Sequence, residues 1–321
     1  MARRPLPMCG KISRLPEKRQ GWRRSIADCS AGRSSRRPRP NHKADAMQVL
    51  IINLDRARER LAFQQAQMRA LGLSFTRIAA LDADHLPDLG EAYWNGWERP
   101  IRPAERACLL SHRQTWETIA AGADPVLVLE DDAVLSDKVP ALLEALRHRT
   151  DLDHVTLETR SRKKLVARAS LSDLPLRRLY QDRSGAAAYI LWPTGAAKLL
   201  QRSARHGAIA DAVICAAYEL ASFQADPALA VQLDRCAPYG LPKPIATQSS
   251  ISPTQSEKQR PSLAFRLRRI KAQLRMGLRQ LCHSQDAQRR QVPVRREDFD
   301  YLKTLAVTQT TSPSAPGDAA P

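Results

Sequence analysis

The sequence predicts an α/β fold in which helices cover a mixed, mostly parallel sheet. Residues 47–53 form an apolar run, residues 58–71 have a helical pattern, and residues 73–80 return as a second strand. This strand–helix–strand order is typical of the units that build parallel sheets. Residues 126–129 are a run of Val and Leu, which indicates a strand that is buried on both faces. Residues 184–192 predict a further strand, entered through small residues.

The first half of the chain has clear helix signals. The first helix is expected to end at Gly72, because glycine readily adopts the backbone conformation that closes a helix. Residues 85–103 contain Pro, Gly and two Trp residues and predict a loop or lid. Residues 103–121 predict a second helix, whose apolar side holds Leu109, Leu110, Trp116 and Ile119.

The second half of the chain alternates shorter elements. The predicted order is a helix (140–148), a strand (154–158), a basic hairpin or loop (160–168), an edge strand (177–180), a helix (193–206), a helix or loop (211–222), and two irregular or edge-strand segments (223–233 and 237–244). The sequence has no internal repeat, so these elements predict one domain.

The positive charge of the chain is concentrated outside its centre. The 321 residues carry a net charge of +18. Residues 1–46 hold 13 Lys and Arg against 3 Asp and Glu, residues 47–255 hold 25 against 24, and residues 256–303 hold 13 against 5. Because the centre is nearly neutral, we do not expect nucleic acid as its partner.

This composition predicts four segments. We expect a basic disordered extension (1–46), which is untranslated if Met47 is the true start, and a globular domain (47–255). A basic amphipathic helical segment (256–303) and a disordered tail (304–321) follow. The six cysteines show no CxxC spacing, and the N-terminus lacks the apolar segment of a secretory signal, which together favour a reducing cytoplasm.

Three acids, Glu130, Asp131 and Asp132, directly follow the aliphatic run at residues 126–129. Carboxylates at the end of a buried strand repel one another unless a cation or a ligand rich in hydrogen-bond donors neutralises them. Mn²⁺ and Mg²⁺ prefer carboxylate oxygens and often share their ligand shell with phosphates. The stretch therefore predicts either a metal–diphosphate site at the carboxyl end of a strand or a solvated acidic turn.

Six segments occur in an order that resembles a known family. They read Ile-Ile-Asn-Leu-Asp-Arg (51–56), Ala-Ala-Leu-Asp (79–82), Glu-Arg-Ala-Cys-Leu-Leu-Ser-His (105–112), Val-Leu-Glu-Asp-Asp (128–132), Gly-Ala-Ala-Ala-Tyr-Ile (185–190) and Asp211. Together they resemble glycosyltransferase family 25, the lipooligosaccharide galactosyltransferases and their collagen-modifying relatives. The resemblance implies a GT-A-like single Rossmann-type domain, a nucleotide-sugar donor, often UDP-galactose, and a glycan or glycolipid acceptor.

The resemblance also implies roles for individual residues. Asp132 and Glu130 are the expected ligands of a divalent cation, Mn²⁺ or Mg²⁺, which neutralises a departing diphosphate. Donor-binding residues are expected to be Asn53, Arg56, Ser111, His112, Glu130, Asp131 and Gly185. An inverting transferase needs a carboxylate that takes the proton of the acceptor hydroxyl, and the candidates are Asp211 and its rival Glu158.

Several of these residues also have a purely structural interpretation. Asn53 and Asp211 each precede or begin a predicted helix, where they would act as caps. Arg56 would be a surface cation, His112 a core histidine with satisfied hydrogen bonds, and Gly185 a position of tight packing. The sequence leaves both interpretations open.

One segment predicts where the protein works. Leu263, Leu267, Ile270, Leu274, Leu278 and Leu281 follow the spacing of one helical stripe, and no acid occurs between Lys258 and Gln285. Such a helix suits an anionic membrane surface, or else it packs on the core. We expect a cytoplasmic enzyme attached peripherally to the inner face of the cytoplasmic membrane. The alternative functions are a nucleic-acid-binding protein that acts through its basic flanks and a Mg²⁺-dependent phosphohydrolase that uses the same acids.

Overall fold

The computed structural model describes residues 46–245 and 263–310. The strands are β1 (Gln48–Asn53), β2 (Thr76–Ala79), β3 (Val126–Glu130), β4 (Ala133–Leu135), β5 (His154–Thr156), β6 (Lys164–Ala167), β7 (Leu176–Gln181), β8 (Ala188–Leu191), β9 (Ser222–Ala225), β10 (Ala230–Gln232) and β11 (Ala287–Arg290). The helices are α1 (Arg58–Ala70), α2 (Glu91–Trp94), α3 (Pro103–Ala120), α4 (Val139–Leu146), α5 (Pro193–Arg202), α6 (Ala210–Cys215), α7 (Leu263–Cys282) and α8 (Tyr301–Thr310). Residues 1–45 of the predicted extension and 311–321 of the predicted tail lie outside the described residues.

Within the described residues, nine strands form one sheet in the order β11-β6-β7-β9-β5-β8-β3-β1-β2. β1 pairs in parallel with β2 and β3, and β5 pairs in parallel with β9. The other neighbours in this sheet are antiparallel. The α/β class and the mixed sheet are therefore confirmed, but the prediction of a mostly parallel sheet is wrong. Aliphatic runs report burial on both faces rather than strand direction, and the antiparallel β8 is as buried as β3.

The central strands alternate their side chains between two hydrophobic layers. In β1, Val49 and Ile51 face a layer that α1 and α4 complete. Leu50 and Ile52 face the opposite layer, which α3, α5 and α6 complete. Helices cover both faces of the sheet, which accounts for the apolar runs at residues 49–52 of β1 and 126–129 of β3 that the sequence indicated.

The segment after residue 255 contributes more than a helix. β11 pairs with β6 and forms an edge of the main sheet, while Phe299 and Leu302 pack with Phe63 and Val231 in a third buried cluster. The sheet and core thus extend beyond the predicted domain end, and β7, predicted as an edge strand, is interior. The sequence of β11, Ala-Gln-Arg-Arg, lacks an apolar pattern because an edge strand buries little. α8 also continues to Thr310, inside the predicted disordered tail.

α7 covers the predicted leucine stripe (263–281) but ends at Cys282, well before residue 303 where the predicted helical segment ends, and none of its residues is buried. In the part of the chain that the structure describes, no helix combines the length and the apolar character that crossing a bilayer requires.

Candidate functional site

A cavity of about 390 Å³ opens where the carboxyl ends of β1 and β3 lie side by side. Because these strands are parallel, the turns that follow them meet at one edge of the sheet, where open α/β sheets bind ligands. The backbone N–H of Glu130 donates to the carbonyl of Ala187 (2.9 Å), which brings the start of β8 to the same place. The charged lining mixes acids with arginines: Arg56, Arg60, Glu105, Glu130, Asp131, Asp132, Arg160, Asp211 and Asp234. The volume lies in the range of small-molecule sites.

Asp131 and Asp132 are neighbours in the chain but have different surroundings. Asp131 is buried, pairs with Arg60 (2.8 Å), and accepts a hydrogen bond from Asn53 Nδ2 (2.8 Å). It therefore ties α1 and the end of β1 to the acidic turn. In contrast, Asp132 Oδ1 is buried and has no hydrogen-bond partner within the described residues. Burial, together with the charges of Glu130 and Asp131, raises the pKa of Asp132 well above its ordinary value.

A chain of hydrogen bonds orients Glu130 from the core. Trp116 Nε1 donates to the hydroxyl of Tyr189 (2.8 Å), which bonds His112 Nδ1 (2.9 Å), and His112 Nε2 bonds Glu130 Oε1 (3.1 Å). An ionised carboxylate only accepts hydrogen bonds, so Nε2 is the nitrogen that donates to Glu130, and Nδ1 can then accept from the Tyr189 hydroxyl. His112 is fully buried and both its nitrogens are satisfied. It lies in the cavity wall and positions Glu130.

Asp211 lies in the first turn of α6 and lines the cavity, but it does not cap that helix. Its Oδ1 accepts the backbone N–H groups of Gly185 (3.2 Å) and Ala186 (2.9 Å). No group in the described part of the chain donates to Oδ2. Burial, with a contribution from the charge of Glu130, raises the pKa of Asp211. A carboxylate that is fixed at one oxygen and has a raised pKa suits a general base.

Glu158 is fully buried and is not among the residues that line the cavity. Its carbonyl accepts a hydrogen bond from Lys164 Nζ (2.9 Å), and Lys164 also pairs with Asp182. Burial, together with nearby Asp211, raises the pKa of Glu158 well above its ordinary value. The structure therefore brings Glu158 close to the site but behind its wall, which favours Asp211 as the acid that meets a ligand.

Asn53 is not among the residues that line the cavity, and its donor-binding role stays a prediction. Its Nδ2 donates to the carbonyl of Ala57 (3.1 Å) as well as to Asp131, and its Oδ1 accepts from Arg77 Nε (2.9 Å). The buried amide is thus fully used by the protein. Asn53 ends β1, as predicted, but the side chains that bind its amide come from Asp131 and Arg77, which are distant in the chain.

Ser111 and Gly185 also serve the fold. The hydroxyl of Ser111 accepts the N–H of Leu81 (2.9 Å) and donates to the carbonyl of Ala107 (2.8 Å), so it fixes one cavity wall. A Cβ at Gly185 would meet Asp182 at 3.4 Å, which is ordinary contact, so tight packing does not require glycine there. Gly185 contributes its N–H to Asp211 instead.

Three arginines line the cavity from different elements. Arg56 follows β1, Arg60 lies in α1, and Arg160 follows β5. Each forms an ion pair with an acid, respectively Asp82, Asp131 and Asp234. Sequence reasoning selected Arg56 but missed Arg60, Arg160 and Asp234. The four-residue spacing of Arg56 and Arg60 was an available signal, whereas nothing local indicated Arg160 or Asp234.

Two sets of side chains are candidates to hold a metal ion. Ligand atoms of Cys108, His112 and Glu130 lie within 4.8 Å of one another. However, burial raises the pKa of the Cys108 thiol well above its ordinary value, and a neutral thiol is a poor ligand for a hard cation. Glu130 and Asp132 fit Mn²⁺ or Mg²⁺ better, because the unpartnered Oδ1 of Asp132 is the type of oxygen that such a cation binds.

The comparisons with known proteins agree on one family. The family model described as glycosyltransferase family 25 (LPS biosynthesis protein) matches residues 46–214. A glycosyltransferase 25 family member of Aedes aegypti is 34% identical over 104 residues, which are 29% of this chain and 17% of that protein. A protein of the same description from Anopheles gambiae is 32% identical over 104 residues, which are 29% of this chain and 18% of that protein. The match thus spans less than a fifth of the length of either mosquito protein.

Proposed function

Because the chain belongs to glycosyltransferase family 25, we propose that it transfers a hexose, galactose by preference, from a UDP-sugar to a glycan acceptor. The acceptor class is lipooligosaccharide or a related surface glycan. A GT-A-like arrangement is part of this proposal, and the parallel set β2-β1-β3 with an acidic turn after β3 supports it.

The observation that carries the proposal is the charge pattern of the cavity at the ends of β1 and β3. Arg56, Arg60 and Arg160 supply positive charge for a diphosphate, while Glu130 and Asp132 supply oxygens for a cation. A nucleotide-sugar donor needs both, because its bridging diphosphate is anionic and leaves with added charge during transfer. Groups of both signs in one cavity support a ligand that combines an anion with a cation.

Glu130 and Asp132 would hold the divalent cation, Mn²⁺ or Mg²⁺. When bound, the cation neutralises charge on the leaving diphosphate as a Lewis acid. His112 keeps Glu130 oriented toward the cavity through its 3.1 Å hydrogen bond. The bond between Asp131 and Arg60 holds the turn in place, so Asp132 stays in the cavity lining.

Asp211 is the proposed general base for an inverting transfer. Its carboxylate takes the proton of the acceptor hydroxyl while that oxygen bonds the anomeric carbon and the bond from this carbon to the diphosphate oxygen breaks. The N–H groups of Gly185 and Ala186 hold Oδ1 and so fix the direction of the carboxylate. Burial raises its pKa, which makes this carboxylate a stronger base than an exposed aspartate.

The direct test is a turnover assay with purified protein, a panel of UDP-sugars and Mn²⁺. We expect UDP release with at least one sugar, and loss of that activity when a chelator removes the metal. Asp132→Asn should lower kcat/KM by about 10²-fold or more, because it removes one charged ligand. The exposed Asp124→Asn is the matched control and should behave as wild type. Absence of both turnover and UDP binding with every donor would refute the proposal.

The same assay separates the two alternatives. A phosphohydrolase would release phosphate from simple phosphate esters and would show no preference for UDP-sugars. A nucleic-acid-binding protein would shift duplex DNA at ~0.15 M salt through phosphate contacts and would turn over no sugar donor.

A further inference from the structure

The helix α7 lies on the protein with the face opposite its apolar stripe. Its half-buried residues share one face and are Phe265, Ala272, Met276, Arg279 and Gln280. The stripe points away from the protein: Leu263, Leu267, Ile270, Leu274, Leu278 and Leu281 are 50–76% exposed. The inward face thus mixes polar with apolar side chains, whereas the stripe of large aliphatic side chains lies open to the surroundings.

Polar contacts fix this orientation. The guanidinium groups of Arg275 and Arg279 lie over the ring of Tyr218, at 4.7 and 4.3 Å from its centroid. Gln280 Nε2 donates to Gln181 Oε1 (2.9 Å), and Arg268 donates to the carbonyl of Trp97 (3.4 Å). The helix is therefore held along its length by side chains outside the stripe, and rolling the leucines inward would break these contacts.

The exposed remainder of α7 is cationic. Arg266, Arg268, Arg269, Lys271 and Arg275 are all exposed, and no acid occurs from Lys258 to Gln285. A contiguous apolar patch on a soluble surface marks an interaction site. A second copy of the chain would bring two such cationic helices together, and their charges would repel. An anionic bilayer satisfies both features, since acyl chains accept the leucines and headgroups pair with the cations.

We propose that α7 attaches the protein to an anionic membrane surface, lying in the plane of the interface with its leucine stripe in the acyl boundary. This attachment is separate from the sugar-transfer chemistry, since no residue of α7 lines the cavity. It does constrain where the cavity lies. Trp97 contacts α7, and the same connection leads to Ala104 and Glu105 in the cavity lining. One connection thus joins the contact with α7 to the wall of the cavity, which suits an acceptor linked to lipid.

The experiment uses the full chain and point variants, because removing the segment after residue 255 would also remove β11 and the buried Phe299 and Leu302. We would measure co-sedimentation with vesicles of phosphatidylcholine alone and with about one third phosphatidylglycerol, at ~0.15 M salt. The triple variant L267Q/L274Q/L278Q removes the stripe, and L267M/L274M/L278M is its matched apolar control. R266Q/K271Q removes charge beside the stripe, and R58Q/R69Q removes the same charge from the exposed side of α1.

Wild type and the Met variant should bind the anionic vesicles, bind neutral vesicles weakly, and dissociate as salt rises. The Gln variant and R266Q/K271Q should each bind at least about tenfold more weakly, whereas R58Q/R69Q should bind as wild type. UDP binding should be unchanged in all variants, which separates this result from failure of the proposed activity. Equal vesicle binding by wild type and the Gln variant would overturn the proposal. A second result would also overturn it: wild type does not bind vesicles but forms dimers in light scattering, and the Gln variant stays monomeric.

Discussion

Asp211, which is half-buried, and Glu158, which is fully buried, are two acids near one cavity with different contacts. The backbone N–H groups of Gly185 and Ala186 hold Asp211 at the cavity wall. The side chain of Glu158 lies behind that wall, where Lys164 binds its carbonyl and Asp182. We therefore propose that Asp211, which lines the cavity, rather than Glu158 takes the proton of the acceptor hydroxyl.

Asp211→Asn should therefore lower kcat by about 10²-fold or more and leave the dissociation constant of UDP unchanged. The amide keeps the shape and still accepts from the two N–H groups, but it cannot take a proton. Initial rates and titration calorimetry give the two quantities. Glu158→Gln is the isosteric comparison, and a larger loss of kcat in that variant than in Asp211→Asn would show that the roles are reversed.

The sequence predicted which polar residues lie at the strand ends, but it did not predict their hydrogen-bond partners. Glu130, Asp132 and Arg56 line the cavity, as their positions at or just after the ends of β3 and β1 indicated. Asn53 also lies at the end of a strand, yet its side-chain amide forms hydrogen bonds with Arg77 and Asp131. These partners come from β2 and from the turn after β3. No local pattern in the sequence predicts hydrogen bonds between residues that are so far apart in the chain.

At the scale of elements, hydrogen bonds and ion pairs of Glu105 fix the start of α3, which forms part of the cavity wall. Pro103 begins the helix, and the side chain of Glu105 accepts the backbone N–H of Arg102 (3.0 Å). Arg99 (2.8 Å) and Arg102 (2.9 Å) also pair with this carboxylate. Burial raises the pKa of Glu105, but these hydrogen bonds outweigh it and lower the pKa from 4.5 to about 2.

This depressed pKa predicts an acid-sensitive contribution to stability. The folded state favours the ionised form, so the contribution is complete above the unfolded value near 4.5 and is lost as pH falls toward 2. Glu105→Gln should cost about 1–3 kcal/mol of unfolding free energy at pH 7 and clearly less at pH 3. Urea denaturation at both pH values measures this, with Glu117→Gln on the same helix as the control. A cost that does not change between pH 7 and pH 3 would contradict the assignment.

The C-terminal elements are predicted to stabilise the whole domain. Phe299 and Leu302 are fully buried against Phe63 and Val231. Phe299→Ala should lower the unfolding free energy by about 3–5 kcal/mol, because it leaves a cavity in this cluster. Tyr301→Phe nearby removes only a hydroxyl that donates to the carbonyl of Leu135 (2.8 Å), and it should cost about 1 kcal/mol. A cost for Phe299→Ala as small as that of Tyr301→Phe would mean that this segment does not belong to the core.

At the scale of the whole molecule, the sequence predicted which strands are buried better than it predicted whether neighbouring strands are parallel or antiparallel. The apolar runs of β1, β3 and β8 identified the central strands, since helices cover both faces there. Strand direction depends on how the connections cross the sheet, and β8 enters antiparallel between β3 and β5. The same limit explains why Arg160 and Asp234 were missed: only the completed topology brings them to the cavity.

The central claim is that one cavity at the ends of β1 and β3 binds a nucleoside diphosphate through a divalent cation. The most direct measurement is a crystal structure with UDP and Mn²⁺, using anomalous scattering to locate the metal. We predict a manganese peak bound by Asp132 and Glu130, with the diphosphate beside Arg56, Arg60 or Arg160. A manganese ion bound elsewhere, or UDP bound outside this cavity, would contradict the account.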